Sequence, residues 1–150
     1  MSTIHPELIT IQSVKIHKSN INATDEYMDN PVKPAGIEIN VGQSTAFNIE
    51  KKNIRIRLKI ELEARKNETE PIGLYGSYVL EFQIYVDDLE QFIIEAGDKK
   101  LIDSKLGGTL SGIVYSTARG IIYERTAATA FGGVILPVID PNLLIKESLS

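Results

Sequence analysis

The stretch LGGTLSGIVYSTARGIIYERTAATAFGGVILPVIDPNLLI, residues 106–145, decides the fold of this 150-residue chain. Its pattern predicts one long helix, a Gly-Gly break, an extended apolar run through a proline, and a short C-terminal helix. Small residues recur every four positions along the long helix and form a ridge on one face: Gly108, Gly112, Ser116 and Gly120. Because a glycine inside a helix costs about 0.5–1 kcal/mol relative to alanine, this small-residue ridge predicts close packing against a second backbone.

The rest of the long helix carries almost no charge. Arg119 is the one charged residue between Lys105 and Tyr123, whereas a helix on a single sheet normally shows a broad polar face. We therefore expect self-association to cover the helix on more than one side, with the ridge at an oligomer interface. The alternative is that the glycines only bring the helix close to its own sheet. We assign the core-facing stripe to Leu106, Leu110, Ile113, Thr117 and Ile121, and a second row to Val114, Ala118, Ile122 and Arg125.

Four upstream segments alternate polar and apolar residues with period two, which predicts half-buried strands. The clearest are residues 54–62 and 78–86, and the charged segment between them contains a proline and a glycine and predicts a hairpin loop. A shorter strand covers residues 37–41. In the first strand the alternation changes phase at Gln12 and Ser13, which predicts a β-bulge or a twist.

The first two strands are joined by residues 19–35, a segment too long for a tight hairpin. We expect it to cross over or to lie on another part of the chain, with Tyr27 and Met28 as apolar anchors in an otherwise polar loop. After Val86 we expect a short helix that ends at Gly97, and a cap on the long helix from Asp103 or Ser104.

Strands first and helices last is the α+β pattern. No internal repeat, low-complexity tract or linker divides the sequence. We therefore expect a single domain over residues 1–150, built from a four-stranded antiparallel sheet, a long helix and a short C-terminal helix.

Composition excludes several classes of function. The net charge is −4 and no cysteine is present, so the chain has no overall attraction for nucleic acid and forms no disulfide or thiolate metal site. The first twenty residues contain no long apolar core, and no apolar run approaches the roughly 20 residues that span a bilayer. We expect a soluble, cytoplasmic protein that does not insert into membranes.

The sequence contains no motif for catalysis or for cofactor binding. His5 and His17 have no partner at the spacing of metal ligands, and the nucleophile elbow, the phosphate-binding loop and the dinucleotide fingerprint are absent. The sequence therefore favours a binding protein over an enzyme, with no catalytic residue, no metal and no cofactor.

A basic row, Arg55, Arg57 and Lys59, lies on the polar face of the third predicted strand. Glu61 and Glu63 follow it on the same face and offset its charge. This arrangement favours a cross-strand charge ladder over a platform for RNA.

The order of these elements and several motifs resemble the SecB family, the export chaperones of bacteria, over most of the chain. The segments ITIQSVKIHKSNINA (9–23), KPAGIEINV (33–41), NIRIRLKIELEA (53–64) and YVLEFQIYVDD (78–88) resemble the four strands of that family in order. The C-terminal motifs of the family are matched in order and spacing by Leu106-Gly107, Ala118-Arg119, Leu136-Pro137-Val138 and Leu143-Leu144.

The resemblance implies an ATP-independent holdase that binds unfolded or partly folded polypeptides, in the family's case for protein export. It also implies a homotetramer, a dimer of dimers with the long helices between the sheets. Clients would lie in apolar grooves beneath the crossover and beside the last helix. Because aromatic and flexible contacts tolerate varied sequences, we expect the groove to contain Tyr27, Met28, Tyr75, Phe92, Phe131 and Leu144. For Phe92 and Leu144 the alternative is a place in the core.

Departures from the family pattern favour a variant of its function. The family docks its translocase motor through an acidic sheet face and a C-terminal tail, but this sequence stops at Ser150, just after the predicted last helix, and carries Tyr85 where the family has a glutamate. A SecB-like chaperone with a narrower client, such as an antitoxin, is therefore an alternative. A second alternative is a hot-dog thioesterase-like enzyme, in which Glu124 near the helix end would be the catalytic carboxylate.

Overall fold

The computed structural model of the chain describes residues 3–140. The strands are β1 (Ile9–Ala23), β2 (Gly36–Asn48), β3 (Asn53–Arg65), β4 (Pro71–Val86), β5 (Ile93–Ala96) and β6 (Lys99–Ile102). The α-helices are α1 (Asp25–Asp29) and α2 (Ser104–Ala127), and single 3-10 turns lie at Pro6–Leu8 and Leu89–Phe92.

Strands β1 to β4 form one antiparallel sheet in the order β1-β4-β3-β2, and β5 pairs with β6 in a separate hairpin. The predicted hairpin between β3 and β4 is confirmed at the centre of the sheet. The chain between β1 and β2 passes through α1 from one edge of the sheet to the other. This confirms the predicted crossover and leaves β1 and β2 as the two edges.

The predicted change of phase in β1 is also confirmed. The pairing of β1 with β4 skips Gln12 and, a second time, His17. By skipping Gln12, the strand turns Ile11 and Val14 to the same side of the sheet, although the two residues differ in parity. The bulge thus lets both halves of β1 add apolar side chains to one face.

That face of the sheet is covered by α2, and the core lies between them. Strands β3 and β4 contribute every second residue, with Leu58, Ile60, Leu80 and Phe82 fully buried at the centre. The helix contributes a row at intervals of four residues that is at most 1% exposed: Leu106, Leu110, Val114, Ala118, Ile122 and Thr126.

The assignment of the helix stripe was therefore partly wrong. Ile113, Thr117 and Ile121 are only half-buried. Three residues of the row assigned second, Val114, Ala118 and Ile122, continue the buried stripe, but Arg125 of that row is exposed and Thr126 takes its place. Both rows fit the helical repeat, so periodicity alone does not choose between them. The buried row is flanked by Ser111, whose hydroxyl accepts a hydrogen bond from Gln43 Nε2 of β2 at 3.1 Å. A polar residue can thus lie in the core because β2 supplies its partner.

The short helix predicted after Val86 is wrong. A single 3-10 turn there leads into the β5–β6 hairpin. Ile93 and Ile94 are β-branched and favour an extended backbone, and Gly97 makes the turn with a φ of 64°. The predicted cap of the long helix is confirmed, since Asp103 Oδ1 accepts a hydrogen bond from the Lys105 N–H at 2.8 Å.

After α2 the chain turns back and lies against the helix as an extended segment, residues 131–137, which we call the strap. The predicted Gly-Gly break is confirmed, because Gly132 and Gly133 have φ values of 72° and 95°. Within the strap, Phe131, Val134 and Leu136 are buried in the core.

Three helix side chains hold the backbone of the strap. Thr126 Oγ1 accepts a hydrogen bond from the Val134 N–H at 2.7 Å. Arg119 Nε donates to the carbonyl of Leu136 at 3.1 Å, and the Tyr115 hydroxyl donates to the carbonyl of Pro137. Three backbone groups of the strap thus find partners on the helix, without pairing in a sheet.

The predicted C-terminal helix and Leu144 lie outside the described residues. Between residues 3 and 140, neither helix is both long and apolar enough to cross a membrane.

The bond to the strap predicts an effect of Thr126→Val on stability. The change is close to isosteric but leaves the Val134 N–H buried without an acceptor, so the free energy of unfolding should fall by about 1–3 kcal/mol in urea denaturation. The matched control is Thr117→Val. Thr117 Oγ1 donates a hydrogen bond to the Ile113 carbonyl of its own helix at 2.9 Å but does not hold the strap. Equal losses in the two variants would contradict the anchoring role of Thr126.

Candidate functional site

A cleft of about 410 Å³ lies between the crossover segment and the beginning of β4. Its lining is mixed. The apolar side chains are Tyr27, Val32, Pro71, Ile72 and Tyr75, and the polar side chains are Thr24, Asn30 and the charged Glu26 and Lys66.

The position of α1 beside this cleft depends on a close approach of two backbones. The Thr24 N–H donates to the Gly73 carbonyl at 2.9 Å, and Thr24 Oγ1 caps α1 by accepting from the Tyr27 N–H at 3.2 Å. Gly73 has a φ of 89°, and a Cβ at this position would lie 2.2 Å from Thr24 Oγ1. A glycine at position 73 thus allows β4 and the crossover to meet, which fixes Tyr27 over the cleft.

Three of the residues predicted for the groove lie at this cleft or next to it. Tyr27 and Tyr75, distant in sequence, are both half-buried in its lining. Met28 lies on the same helix as Tyr27 and is 56% exposed. Tyr75 belongs to the face of β4 opposite the core, because its neighbours Leu74 and Gly76 occupy the core-facing positions.

Two other predicted residues, Phe92 and Phe131, do not line this cleft. Phe92 and Phe131 belong to the core, at 1% and 7% exposed, so in this conformation they offer little surface to a ligand. For Phe92 this is the alternative that the sequence left open. Leu144 is among the residues that the structure does not describe.

Val32, Pro71 and Ile72 line the cleft but were not among the residues predicted for the groove. Val32 is 43% exposed and stands between Pro31 and Lys33 in the polar crossover. The signal that identified Tyr27 and Met28, an apolar residue in a polar loop, also applies to Val32. Ile72 carries no such signal, because it reads as part of a strand.

The groups at the cleft are suited to binding. The Lys66 ammonium lies 2.9 Å from the Glu70 carboxylate, and this hydrogen bond raises the pKa of Lys66, which keeps a positive charge at the cleft. Tyrosine rings offer apolar faces together with a hydroxyl, so the lining can contact aliphatic and aromatic side chains and also form hydrogen bonds. The carboxylate considered for the thioesterase alternative, Glu124, is 79% exposed and lies 3.8 Å from Arg125 Nε.

The small-residue ridge faces away from the core. Ser116 and Gly120 are exposed, and Gly108 and Gly112 are half-buried. A Cβ added at Gly120 would meet no atom within 4 Å. At this end of the ridge, the glycine does not serve a close approach to the chain's own sheet.

The face of the sheet opposite the core, which we call the outer face, is polar and contains one buried carboxylate. Glu81 is 5% exposed, and its oxygens accept hydrogen bonds from Arg57 Nε at 2.7 Å and from Gln83 Nε2 at 3.0 Å. His17 Nε2, on the second bulge of β1, lies 3.4 Å away. These hydrogen bonds, above all that from Arg57, lower the pKa of Glu81 from 4.5 to about 2. Arg57 and Glu81 lie directly opposite in the register, so this rung of the predicted charge ladder is confirmed.

Comparison with known proteins places the fold. No protein-family model matches the chain, and no curated protein matches its sequence. The SecB-like chaperone Rv1957 of Mycobacterium tuberculosis, solved in complex with a ChAD peptide from the HigA1 antitoxin, superposes with a TM-score of 0.58 at 11% identity, over 89% of this chain and 91% of that one. A protein of unknown function from Streptococcus agalactiae matches with a TM-score of 0.43 at 13% identity, over 87% of this chain and 97% of that one. The likeness to the first structure confirms the predicted SecB-like α+β fold.

The carboxylate of Glu81 predicts a pH dependence of stability. Its pKa is lower in the folded chain than when unfolded, so its contribution is present above about pH 4.5 and is lost as the pH falls towards 2. The free energy of unfolding of the unmodified chain should therefore fall more steeply between pH 5 and pH 2 than that of Glu81→Gln. Urea denaturation across this range measures the difference, with the exposed Glu124→Gln as control. Parallel curves for the unmodified chain and Glu81→Gln would contradict the prediction.

Proposed function

We propose that the protein is an ATP-independent holdase chaperone of the SecB-like kind, which binds unfolded or partly folded polypeptides in the cleft under the crossover. The observation that carries the proposal is the cleft, which both Tyr27 and Tyr75 line. The chain that forms this cleft has the fold of a known chaperone. A holdase needs no catalytic group and no bound nucleotide. It needs only a surface that binds unfolded chains before they aggregate with one another.

The chemistry of the cleft supports clients of varied sequence. Tyrosine rings accept flat or branched apolar side chains, and Met28 beside the cleft is a flexible apolar contact. Val32 and Met28 expose apolar surface although the surrounding crossover is polar. A bound polypeptide would remove this surface from water, which favours association.

We further propose that the chain works as a homotetramer, a dimer of dimers in the cytoplasm, with the small-residue ridge at the contact between helices. The exposed Ser116 and Gly120, with the half-buried Ile113, Thr117 and Ile121 beside them, form a helix face of small and apolar residues with no charge. Small residues allow two helix backbones to approach closely, so this face suits a copy of itself.

A second candidate function is that of a dedicated partner chaperone, for example of an antitoxin, without docking to a translocase motor. It is favoured by the complex in which Rv1957 was solved, with a peptide from an antitoxin. The two functions differ in their clients. Co-purification of one protein at stoichiometric ratio, without protection of generic clients, would select the dedicated chaperone. A role in export would instead require binding to many precursors.

The holdase proposal predicts that the protein slows the aggregation of an unfolding client, such as citrate synthase at its denaturation temperature, without added nucleotide. Val32→Asp puts a charge in the cleft and should weaken this protection several-fold in light scattering, because a charge disfavours apolar contact. The matched control is Ile94→Asp on β5, since Ile94 is 48% exposed, against 43% for Val32, and lies outside the cleft. No protection at a several-fold excess of chaperone, or equal loss in the two variants, would contradict the proposal.

The oligomer proposal predicts that Gly120→Leu leaves the stability of the single chain intact but weakens the assembly. Leucine has a higher helix propensity than glycine and finds open space at this position, so the single chain should not be destabilised. The bulky side chain should prevent close packing of ridges and reduce the mass measured by multi-angle light scattering. Gly42→Leu is the control, because Gly42 lies in β2 with equally open surroundings. An unchanged mass for Gly120→Leu would place the subunit interface elsewhere.

A further inference from the structure

The register of the sheet separates the charges of its outer face into two bands. In the basic band, five cations from two strands surround a single carboxylate of the strand between them: Lys15 and Lys18 of β1, Arg55, Arg57 and Lys59 of β3, and Glu81 of β4. In the adjoining acidic band, three carboxylates and one cation face the same side: Glu38, Glu61, Glu63 and Arg65.

The basic band is an exception to the overall charge of the chain. Its five cations and one carboxylate leave four positive charges, whereas the whole chain has a net charge of −4. Lysines on the edge strand β1 also discourage sheet-to-sheet aggregation. That explanation does not extend to Arg55, Arg57 and Lys59, because β3 is an inner strand.

Most of this positive charge is not neutralised within the chain. Arg57 is paired with Glu81, and Lys59 lies 3.9 Å from Glu61 with its side chain 68% exposed. Over residues 3–140, no carboxylate lies within 4 Å of the charged groups of Lys15, Lys18 or Arg55. Cations held close together without counter-charge attract an anionic partner.

The spacing of the cations fits an extended polypeptide. Arg55, Arg57 and Lys59 follow one another on one face of β3 at about 6.6 Å, which is twice the rise per residue of a strand. Every second side chain of an extended peptide repeats at the same distance. A peptide with acidic residues at alternate positions therefore brings its carboxylates into register with this row. Val79, half-buried between Lys18 and Lys59, adds one apolar contact to the same surface.

The same face is unsuited to nucleic acid. The β4 residues within the basic band are Val79, Glu81 and Gln83, which provide no ring on which a base could stack. The Glu81 carboxylate and the adjoining acidic band would repel a continuous phosphate backbone. An acidic polypeptide avoids both costs, because it can place its carboxylates only where the cations lie.

We propose that the basic band of the outer face docks an acidic polypeptide segment of a partner protein. This surface is distinct from the client cleft, because Val79 in the band and Tyr75 in the cleft are separated by four residues of β4, about 13 Å. It would give the chaperone a second attachment point, used for a specific partner while the cleft holds a client.

Fluorescence anisotropy with three labelled 12-residue probes tests the proposal on the full chain: an alternating Glu-Ser peptide, an alternating Lys-Ser peptide and a single-stranded RNA. The Glu-Ser peptide should bind in low salt, more tightly than the RNA, and the Lys-Ser peptide should not. Lys18→Glu with Lys59→Glu should weaken binding of the Glu-Ser peptide by about tenfold or more. Lys99→Glu with Lys100→Glu on the exposed β6 changes the net charge equally and should leave binding unchanged.

Three results would overturn the proposal: no binding of the Glu-Ser peptide, equal weakening by both double variants, or RNA binding as tight as that of the acidic peptide. Circular dichroism and client protection verify that each variant is folded and that the cleft still works. If the charge reversal impairs folding, Lys18→Gln with Lys59→Gln replaces it, with Lys99→Gln and Lys100→Gln as its control. The criteria remain the same, with a smaller loss of binding expected.

Discussion

The contact between α2 and the central strands β3 and β4 is the constraint on which the rest of the structure depends. The helix has one buried row, from Leu106 to Thr126, and the sheet has one buried face. Because α2 covers only one face of the sheet, core packing does not restrict which residues can stand on the other surfaces. The outer face can therefore carry charge, the crossover can carry exposed apolar residues, and the free side of α2 can remain small and uncharged.

Polar side chains complete this core at places where apolar packing alone would leave polar groups without partners. Thr126, Arg119 and Tyr115 hold the strap, and Ser111 accepts a bond from Gln43. Their bonds orient the segment that follows the helix and the edge strand β2. Buried hydrogen bonds of this kind specify one arrangement among several that would bury similar area, because each alternative leaves a donor or acceptor unpaired.

The sequence predicted the elements whose signal is local and strong. The alternation in β3 and β4, the change of phase at Gln12 and the cap at Asp103 all depend on residues that are adjacent in the chain. The choice between two rows of α2 depends on contacts with the sheet, which periodicity does not contain. For the cleft, the presence of the apolar Tyr27 and Met28 in a polar loop predicted the side that the crossover contributes. Tyr27 lines the same cleft as Tyr75 and Ile72 because the crossover and β4 approach closely at Gly73. No pattern in the sequence predicts this close approach.

The two bulges of β1 have a consequence for the way this edge of the sheet can meet other extended chains. They divide the strand into uninterrupted stretches of three, four and six residues, Ile9–Ile11, Ser13–Ile16 and Lys18–Ala23. Templated growth of cross-β structure needs about six or seven residues of straight, weakly charged ladder, and here the longest stretch begins with a lysine and has only two apolar residues, Ile21 and Ala23. The edge β1 is thus poorly suited to template amyloid growth. The other edge, β2, has no such interruption, because it pairs with β3 without a shift along its whole length.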